Sequence, residues 1–206
     1  MEKSLVTKVL NLKGEELKNI ELSENLFQVP LNITLLKEVI EHHENNKRCD
    51  AKHGKNRTEV NGTNRKVWKQ KGSGRARHSD RKANLFRGGG MYDTTKSSHS
   101  YSIPKKKKAK AIAMILTKKF TEGTFYVMDQ LKMNEAKTKL FINDCFLKDA
   151  LFIDDEFDKN FLLSMRNLYK YKALNLNGLN SLYLLKSKAV VFSESALKKL
   201  GERYAK

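Results

Sequence analysis

The chain has 206 residues, enough for one domain, and its 41 Lys and Arg outnumber its 23 Asp and Glu for a net charge of +18. This excess requires a polyanionic partner, and no apolar stretch or leader-like start predicts a membrane anchor or secretory signal. Cys49 and Cys145 make no disulfide framework, so we expect a reducing compartment and nucleic acid as the leading partner.

The chain begins with the pattern of a hairpin followed by a helix. Residues 4–10 and 17–22 predict two short strands, and residues 11–14 predict the turn between them. Apolar side chains at helical spacing, with His43 at the end of the stripe, then predict an amphipathic helix over 33–46.

A long basic segment follows this helix. Residues 47–110 hold 20 Lys and Arg, four acids and seven of the 11 glycines, whereas the other 142 residues carry 21 basic and 19 acidic side chains. With few large aliphatic residues, the segment cannot bury enough apolar surface to order itself. A flexible linker would explain the glycines. A functional loop is favoured because four aromatic residues are interleaved with the cations, namely Trp68, Phe86, Tyr92 and Tyr101.

The rest of the chain alternates between strand and helix patterns. Pro104 predicts the first turn of a helix whose apolar stripe reaches Phe120. The later predicted elements are strands at 124–128, 151–153, 173–176 and 189–192, and helices at 136–147, 157–169 and 179–185. Ser193 or Ser195 is predicted to cap a last helix at the carboxyl end.

Short apolar strands separated by helices predict an α/β fold with a mostly parallel sheet flanked by helices. A long basic extended loop is inserted after the first predicted helix. The predicted organisation is therefore a globular domain of residues 1–46 and 104–206, with an extended loop of residues 47–103.

The composition of the loop suits an extended chain threaded through RNA. Guanidinium groups make forked contacts to phosphates, and each neutralised phosphate releases counterions. Glycines let the backbone lie against RNA and suit a reversal near the midpoint of the loop, while aromatic rings offer stacking faces for bases. The candidate RNA-binding residues of the loop are Arg57, Arg65, Lys66, Trp68, Lys69, Gln70, Lys71, Gly72, Gly74, Arg75, Arg77, Arg81, Phe86, Arg87, Gly88, Gly89 and Gly90.

Four further candidates, which we call the lysine turn, follow Pro104: Lys105, Lys106, Lys107 and Lys108. They occupy the first turn of a predicted helix, where the helix dipole makes each positive charge cost roughly 0.3–1 kcal/mol at low salt. A bound phosphate would reverse the sign of that term and would also use backbone N–H groups. A solvated lysine run is the plainer explanation, and a phosphate site is the one we favour.

Two other kinds of site have weaker signals. Asp129, Asp154 and Asp155 follow predicted strands, where open α/β sheets bind ligands, but helix capping explains them better because no base or nucleophile accompanies them. A second cluster, without the spacing of a zinc site, is His42, His43, Cys49 and His53. We therefore expect no enzyme activity, no metal and no cofactor.

A regulatory or DNA-compacting protein with a basic arm would fit the charge equally well. Composition alone does not exclude that alternative. The interleaving of glycines and aromatic residues with the cations favours RNA, because unstacked bases are held by exactly such side chains in single-stranded recognition.

Three motifs in the basic segment resemble one protein family. They are Trp68-Lys-Gln-Lys-Gly-Ser-Gly-Arg-Ala-Arg77, Phe86-Arg-Gly-Gly-Gly90 and Tyr101-Ser-Ile-Pro-Lys-Lys106. Their order and spacing, together with the turn at 11–14 and the carboxyl-terminal run 178–197, resemble the bacterial-type large-subunit ribosomal protein L-four family over essentially the whole chain.

The resemblance implies a structural protein of the large ribosomal subunit that supports assembly. Its loop would penetrate large-subunit ribosomal RNA and line the polypeptide exit tunnel. The implied partners are that RNA, neighbouring large-subunit proteins and the nascent peptide, with no membrane. The implied location is the ribosome of a bacterial cytoplasm, with an organellar matrix left open. Residues 78–84 and 93–98 depart from the family pattern, so we expect them to contact RNA differently.

Overall fold

The computed structural model describes residues 5–49, 53–92 and 98–204. They group into two compact units. We call Met1–His43 with Ser102–Lys206 the sheet unit, and Glu44–Tyr101 the basic unit. Within the described ranges, no helix is both long enough and apolar enough to cross a membrane.

The secondary structure closely follows the predicted alternation of strands and helices. The described residues form β1 (Val6–Leu10), β2 (Glu16–Glu21), α1 (Glu24–Phe27), α2 (Ile33–Lys47), α3 (Lys105–Thr121), β3 (Phe125–Met128), α4 (Thr138–Asp144), β4 (Ala150–Asp154), α5 (Lys159–Met165), β5 (Tyr171–Asn175), α6 (Ser181–Lys186), β6 (Ala189–Ser193) and α7 (Glu194–Tyr204). A single 3₁₀ turn, Leu176–Gly178, follows β5.

The strands form one sheet in the order β2-β1-β3-β6-β4-β5. β1 and β2 are antiparallel, and every other neighbouring pair is parallel. All residues of β4 and β6 are buried, as expected for parallel strands with helices on both faces. The prediction of an α/β fold with a mostly parallel sheet is therefore confirmed.

The two faces of the sheet carry separate hydrophobic cores. Successive residues of β4 alternate between them, so that Leu151 packs in one core and Phe152 in the other. The first core includes buried residues of α3, α6 and α7, and the second includes Phe141 of α4 and Phe161 of α5. Every buried member of both cores belongs to the sheet unit.

Several local predictions are confirmed. The N–H of Gly14 donates to Asn11 O over 2.9 Å, and Gly14 has φ +86°, which closes the predicted turn. α3 begins directly after Pro104. Of the two serines proposed as caps, Ser193 serves α7, because its Oγ accepts a hydrogen bond from the N–H of Ala196 over 3.1 Å.

Other local predictions need correction. The four-residue helix α1 was not predicted, so the basic segment follows the second helix rather than the first. The helix predicted over 157–169 spans only α5, because the chain turns immediately after it with a hydrogen bond from Leu168 N–H to Met165 O. Tyr169, the last residue of that predicted helix, is 84% exposed. The helix predicted over 136–147 is likewise limited to α4.

Candidate nucleic-acid interface

The basic unit reverses direction at the predicted glycines. Gly72 and Gly74 have φ of +80° and +61°, the left-handed region that glycine adopts without steric cost. On either side of them the two arms are joined. Val67 N–H donates to Ser79 O over 2.7 Å, and the indole Nε1–H of Trp68 donates to a backbone oxygen eight residues further on, Ala76 O, over 2.8 Å.

Three aromatic rings pack edge to face along these arms. The His78 ring lies 5.4 Å from the Trp68 ring and 5.0 Å from the Phe86 ring, both in T-shaped geometry. The guanidinium carbon of Arg75 lies 5.7 Å from the centre of the Trp68 ring, within the range of a cation–π contact. Trp68 and Phe86 were predicted as stacking faces for bases, and in the structure their rings pack within the basic unit and help to hold it together.

One of the predicted RNA-binding cations, Arg57, forms a salt bridge within the basic unit. Arg57 Nη2 donates to Asp80 Oδ2 over 3.0 Å, and Asp80 is only 8% exposed. The other carboxylate oxygen accepts from the backbone N–H of Lys82 over 3.1 Å. The hydrogen bond from Arg57 is the main reason that the pKa of Asp80 lies below its ordinary value. Arg57 is thus a structural residue of the unit in this state.

The triple glycine forms a tight turn against the chain itself. Gly88 has φ +82°, and the N–H groups of Gly89 and Gly90 donate to Phe86 O and Lys82 O over 2.9 Å. A Cβ atom at Gly89 would collide with Ala83 O, and one at Gly90 would collide with the backbone nitrogen of residue 57. Close approach to RNA was the predicted reason for these glycines. The structure gives another reason for Gly89 and Gly90, which is internal packing of the backbone.

The remaining predicted cations of the basic unit project into solvent. Lys66 Nζ donates to Gln70 Oε1 over 2.7 Å, and both residues are exposed. Salt bridges among the described residues involve none of the others. These exposed cations, which we call the outward cations, are Arg65, Lys66, Lys69, Lys71, Arg75, Arg77, Arg81 and Arg87.

The four lysines of the lysine turn, in the sheet unit, differ in their partners and their exposure. Lys107 Nζ donates to both carboxylate oxygens of Glu38 on α2, over 2.7 and 2.9 Å. Lys105 and Lys106 are exposed, whereas Lys108 is half-buried. A phosphate at the start of α3 would therefore meet two exposed lysines and a third that is partly covered, while Lys107 is already neutralised.

Sequence reasoning missed two residues that organise this candidate interface, His78 and Asp80. Both lie in the stretch 78–84 that departs from the expected pattern, and that stretch supplies the contacts that hold the basic unit together. The sequence did carry a signal for Asp80, because residues 47–110 contain only four acidic residues beside 20 basic ones, and Asp80 is one of the four. The second divergent stretch, 93–98, lies outside the described residues except for Ser98.

Comparison with known proteins assigns the chain to a family. The sequence model of the ribosomal protein L4/L1 family matches residues 20–203. A large ribosomal subunit protein uL4 from Desulforapulum autotrophicum is 35% identical over 202 residues, which cover 96% of this chain and 98% of the relative. The chain belongs to the ribosomal protein L4/L1 family. Proteins of the same name from Desulfosudis oleivorans and Agathobacter rectalis are 36% and 33% identical, with the same coverage.

The L4/L1 family match includes both units of the chain, because it begins within β2 and ends within α7. It therefore takes in the reversal at the two glycines, the outward cations and the lysine turn. The resemblance inferred from the three motifs is confirmed at the level of the family.

Two of the three acidic residues at the carboxyl ends of the strands, Asp154 and Asp155, have structural partners in this L4/L1 family chain. Asp154 Oδ1 accepts hydrogen bonds from Ser193 Oγ over 2.5 Å and from the N–H of Asp155 over 2.8 Å. Asp155 in turn forms a salt bridge with Lys199 of α7. Hydrogen bonding to the capping residue Ser193 and an ion pair with Lys199 thus explain these two carboxylates, whereas the helix capping that the sequence favoured is done by Ser193.

The histidine cluster has no metal-binding geometry in the described part of the chain. The His42 and His43 rings pack edge to face with centres 5.2 Å apart, and His42 is buried. Among the described residues, no group of three or more His, Cys, Asp or Glu side chains is placed to hold a metal ion.

Proposed function

We propose that this chain is a structural protein of the large ribosomal subunit and that it binds large-subunit ribosomal RNA. The observation that carries the proposal is the set of eight outward cations on a basic unit whose own contacts hold it in shape. Relatives also support the proposal, because proteins named large ribosomal subunit protein uL4 match nearly the full chain. We propose no catalytic step, metal or cofactor.

The internal contacts of the basic unit matter because they lower the cost of binding. A disordered basic arm loses conformational entropy when RNA orders it, whereas a pre-organised arm has lost part of it already. The aromatic stack, the salt bridge of Arg57 with Asp80 and the glycine turn supply that organisation. The outward cations are exposed for contact with phosphates, with release of counterions at each contact.

We propose that the basic unit, with the lysine turn of α3 as a second contact, anchors the chain during assembly of the subunit. The reversal at Gly72 and Gly74 would form the tip of the loop and line the polypeptide exit tunnel. Lys71, Arg75 and Arg77 lie on either side of this reversal and are all exposed. At that place the nascent peptide and neighbouring large-subunit proteins would be its further partners. In bacteria, the source of the relatives named above, such a ribosomal protein works in the cytoplasm.

A binding measurement with purified components tests this function. The full chain and a variant in which a short Gly-Ser linker replaces residues 50–100 would be titrated with large-subunit ribosomal RNA and with duplex DNA of equal charge. We expect the full chain to prefer the RNA and the variant to lose most of the affinity. Equal affinity for the two nucleic acids would support the DNA-compacting alternative instead.

A further inference from the structure

An apolar groove lies at one edge of the sheet. Unlike the basic unit and the lysine turn, it is lined mainly by apolar residues. Its volume is about 680 Å³, and α5, β5 and Tyr183 of α6 line it. β5 is the last strand of the sheet and pairs with β4 alone, so its other edge is open within the described residues. Open strand edges present unpaired backbone N–H and C=O groups.

The groove straddles this open edge. Met165 and Tyr171 belong to or pack against the core on one face of the sheet, whereas Leu174 and Tyr183 pack against the core on the other face. All four residues line the groove. A chain lying in the groove would therefore run beside β5, with one face toward α5 and the other face toward α6.

The groove leaves apolar side chains in water. Leu162 and Leu163 of α5 are 39% and 50% exposed, beside the open edge of β5. Lysine on an edge strand usually guards it against pairing, but Lys172 Nζ is turned onto the Tyr183 ring, 5.1 Å from its centre. Exposed apolar surface next to an unguarded strand edge is typical of a protein-binding site.

The charge of the groove indicates the chemistry of its occupant. The charged side chains that line it are Lys159, Arg166 and Lys172, and no acidic residue of the described chain lines it with them. RNA phosphates could meet the three cations, but they would leave the two leucines without apolar contacts. A peptide with both apolar and acidic side chains satisfies both features of the groove.

We propose that this edge groove binds an extended segment of another protein in which apolar residues alternate with Asp or Glu. The segment adds a strand to the sheet beside β5, so that main-chain hydrogen bonds supply affinity and alternate side chains supply specificity. Its apolar side chains face Leu162 and Leu163 of α5, and its carboxylates, on the opposite side of the strand, face Lys172. This site goes beyond the proposed RNA contacts, because it uses no residue of the basic unit or the lysine turn.

A peptide titration with the full chain tests the site. The probe is a fluorescein-labelled eight-residue peptide with alternating Val and Glu, followed by fluorescence anisotropy at 0.15 M salt, about physiological. A peptide of the same composition with its four Val grouped together serves as the order control. We expect the alternating peptide to bind more tightly, since grouped apolar residues cannot match the two sides of a strand.

Two matched variants test whether the peptide binds at the groove. Leu163→Glu and Ile142→Glu each put a carboxylate at a half-exposed helix position, 50% and 49% exposed, but only Leu163 lines the groove. We expect about tenfold weaker binding or more for Leu163→Glu, and a change of less than about twofold for Ile142→Glu. Should Leu163→Glu fail to fold, Lys172→Glu on β5 and Lys139→Glu on α4 replace the pair with the same expectation.

The inference is overturned if the groove variant binds the alternating peptide as tightly as the control variant, or if the grouped peptide binds equally well. A groove variant that instead loses affinity for large-subunit RNA would identify an RNA surface and would also overturn it. Neither result touches the proposed RNA binding through the outward cations, because that is measured in the same variants with RNA alone.

Discussion

Arg57 and Asp80, 23 residues apart in the sequence, form a salt bridge with Nη2 and Oδ2 3.0 Å apart at the base of the glycine turn. The backbone of residue 57 is also what a side chain at Gly90 would strike. The pair therefore ties the start of the basic unit to its return arm, and a cation that composition assigned to RNA acts first within the protein.

The first prediction concerns acid opening of the basic unit. Because the pKa of Asp80 is lowered, its contribution to stability is complete above its ordinary pKa near 3.8 and is lost as pH falls through the lowered value. Trp68 is the only tryptophan of the chain, so its fluorescence reports on this unit. We expect a fluorescence transition below about pH 4 that is missing from Asp80→Asn, which should already be loosened at neutral pH.

Two controls accompany that titration. Asp144→Asn, at the end of α4 in the sheet unit, should leave the Trp68 curve unchanged. The double variant Arg57→Gln with Asp80→Asn should be less disturbed than the sum of the two single changes. Each single change leaves the charge of the partner unpaired, whereas the double change removes both charges. Additive effects would show that the salt bridge does not couple the two residues.

The second prediction distinguishes internal packing from RNA contact at the glycines. Gly90→Ala should destabilise the basic unit by about 1–3 kcal/mol, because the added methyl group has no room beside the backbone of Arg57. Gly62→Ala is the matched control, since its methyl group would make only an ordinary contact with the Lys82 side chain at 3.6 Å. The indole N–H signal of Trp68, in NMR spectra recorded without RNA, reports the effect of each substitution on the packing of the basic unit. Equal spectra for the two variants would contradict the packing role.

The third prediction separates neighbouring lysines of the lysine turn. Lys106→Gln should flatten the plot of log K for RNA against log salt by about 0.7–0.9, the value of one phosphate contact. Lys107→Gln should leave that slope unchanged, because Lys107 is paired with Glu38, and should cost about 0–1 kcal/mol of stability. Filter binding over a series of salt concentrations measures the slopes. Equal flattening by both changes would show that the salt bridge opens for RNA.

The fourth prediction concerns the independence of the sheet unit. Both hydrophobic cores, including the buried Ile103, lie within it, so replacing residues 50–100 by a short linker should leave cooperative thermal unfolding intact. Shortening the loop changes the closure entropy by only about 0.6 kcal/mol per halving of its length. Circular dichroism at rising temperature measures the transition. Loss of cooperativity would mean that the basic segment is needed by the core.

The fifth prediction concerns the tip of the loop. Lys71→Glu should leave the thermal stability of the free chain almost unchanged, because the side chain is exposed. In assembled subunits the same change should alter the chemical reactivity of nucleotides in the wall of the exit tunnel. A destabilised free chain with unaltered tunnel reactivity would argue against a tip at this place.

Regular elements were predictable because burial leaves a pattern in the sequence. Strands buried on both faces read as short apolar runs, and helices buried on one face repeat apolar residues at helical spacing. The strands and the long helices α2 and α3 lie close to their predicted ranges for this reason. The four-residue helix α1 is too short to show a period. Tyr169 was misplaced because an apolar residue beyond the end of a helix looks the same in sequence as one within it.

The organisation of the basic unit was harder to predict because polar contacts carry no period. The reversal was predictable from Gly72 and Gly74, whose conformational freedom is local. The contacts of His78 with Trp68 and Phe86 depend on where two arms meet, which composition does not determine. Composition correctly indicated a lack of apolar core in this segment, but polar and aromatic contacts hold it together instead.

Co-sedimentation with large ribosomal subunits after a high-salt wash tests the central proposal most directly. A tagged full chain should remain with the large subunit, and a variant with Glu in place of the outward cations should be lost from it. Recovery of the full chain in the soluble fraction, with large subunits intact, would contradict a structural role in that subunit.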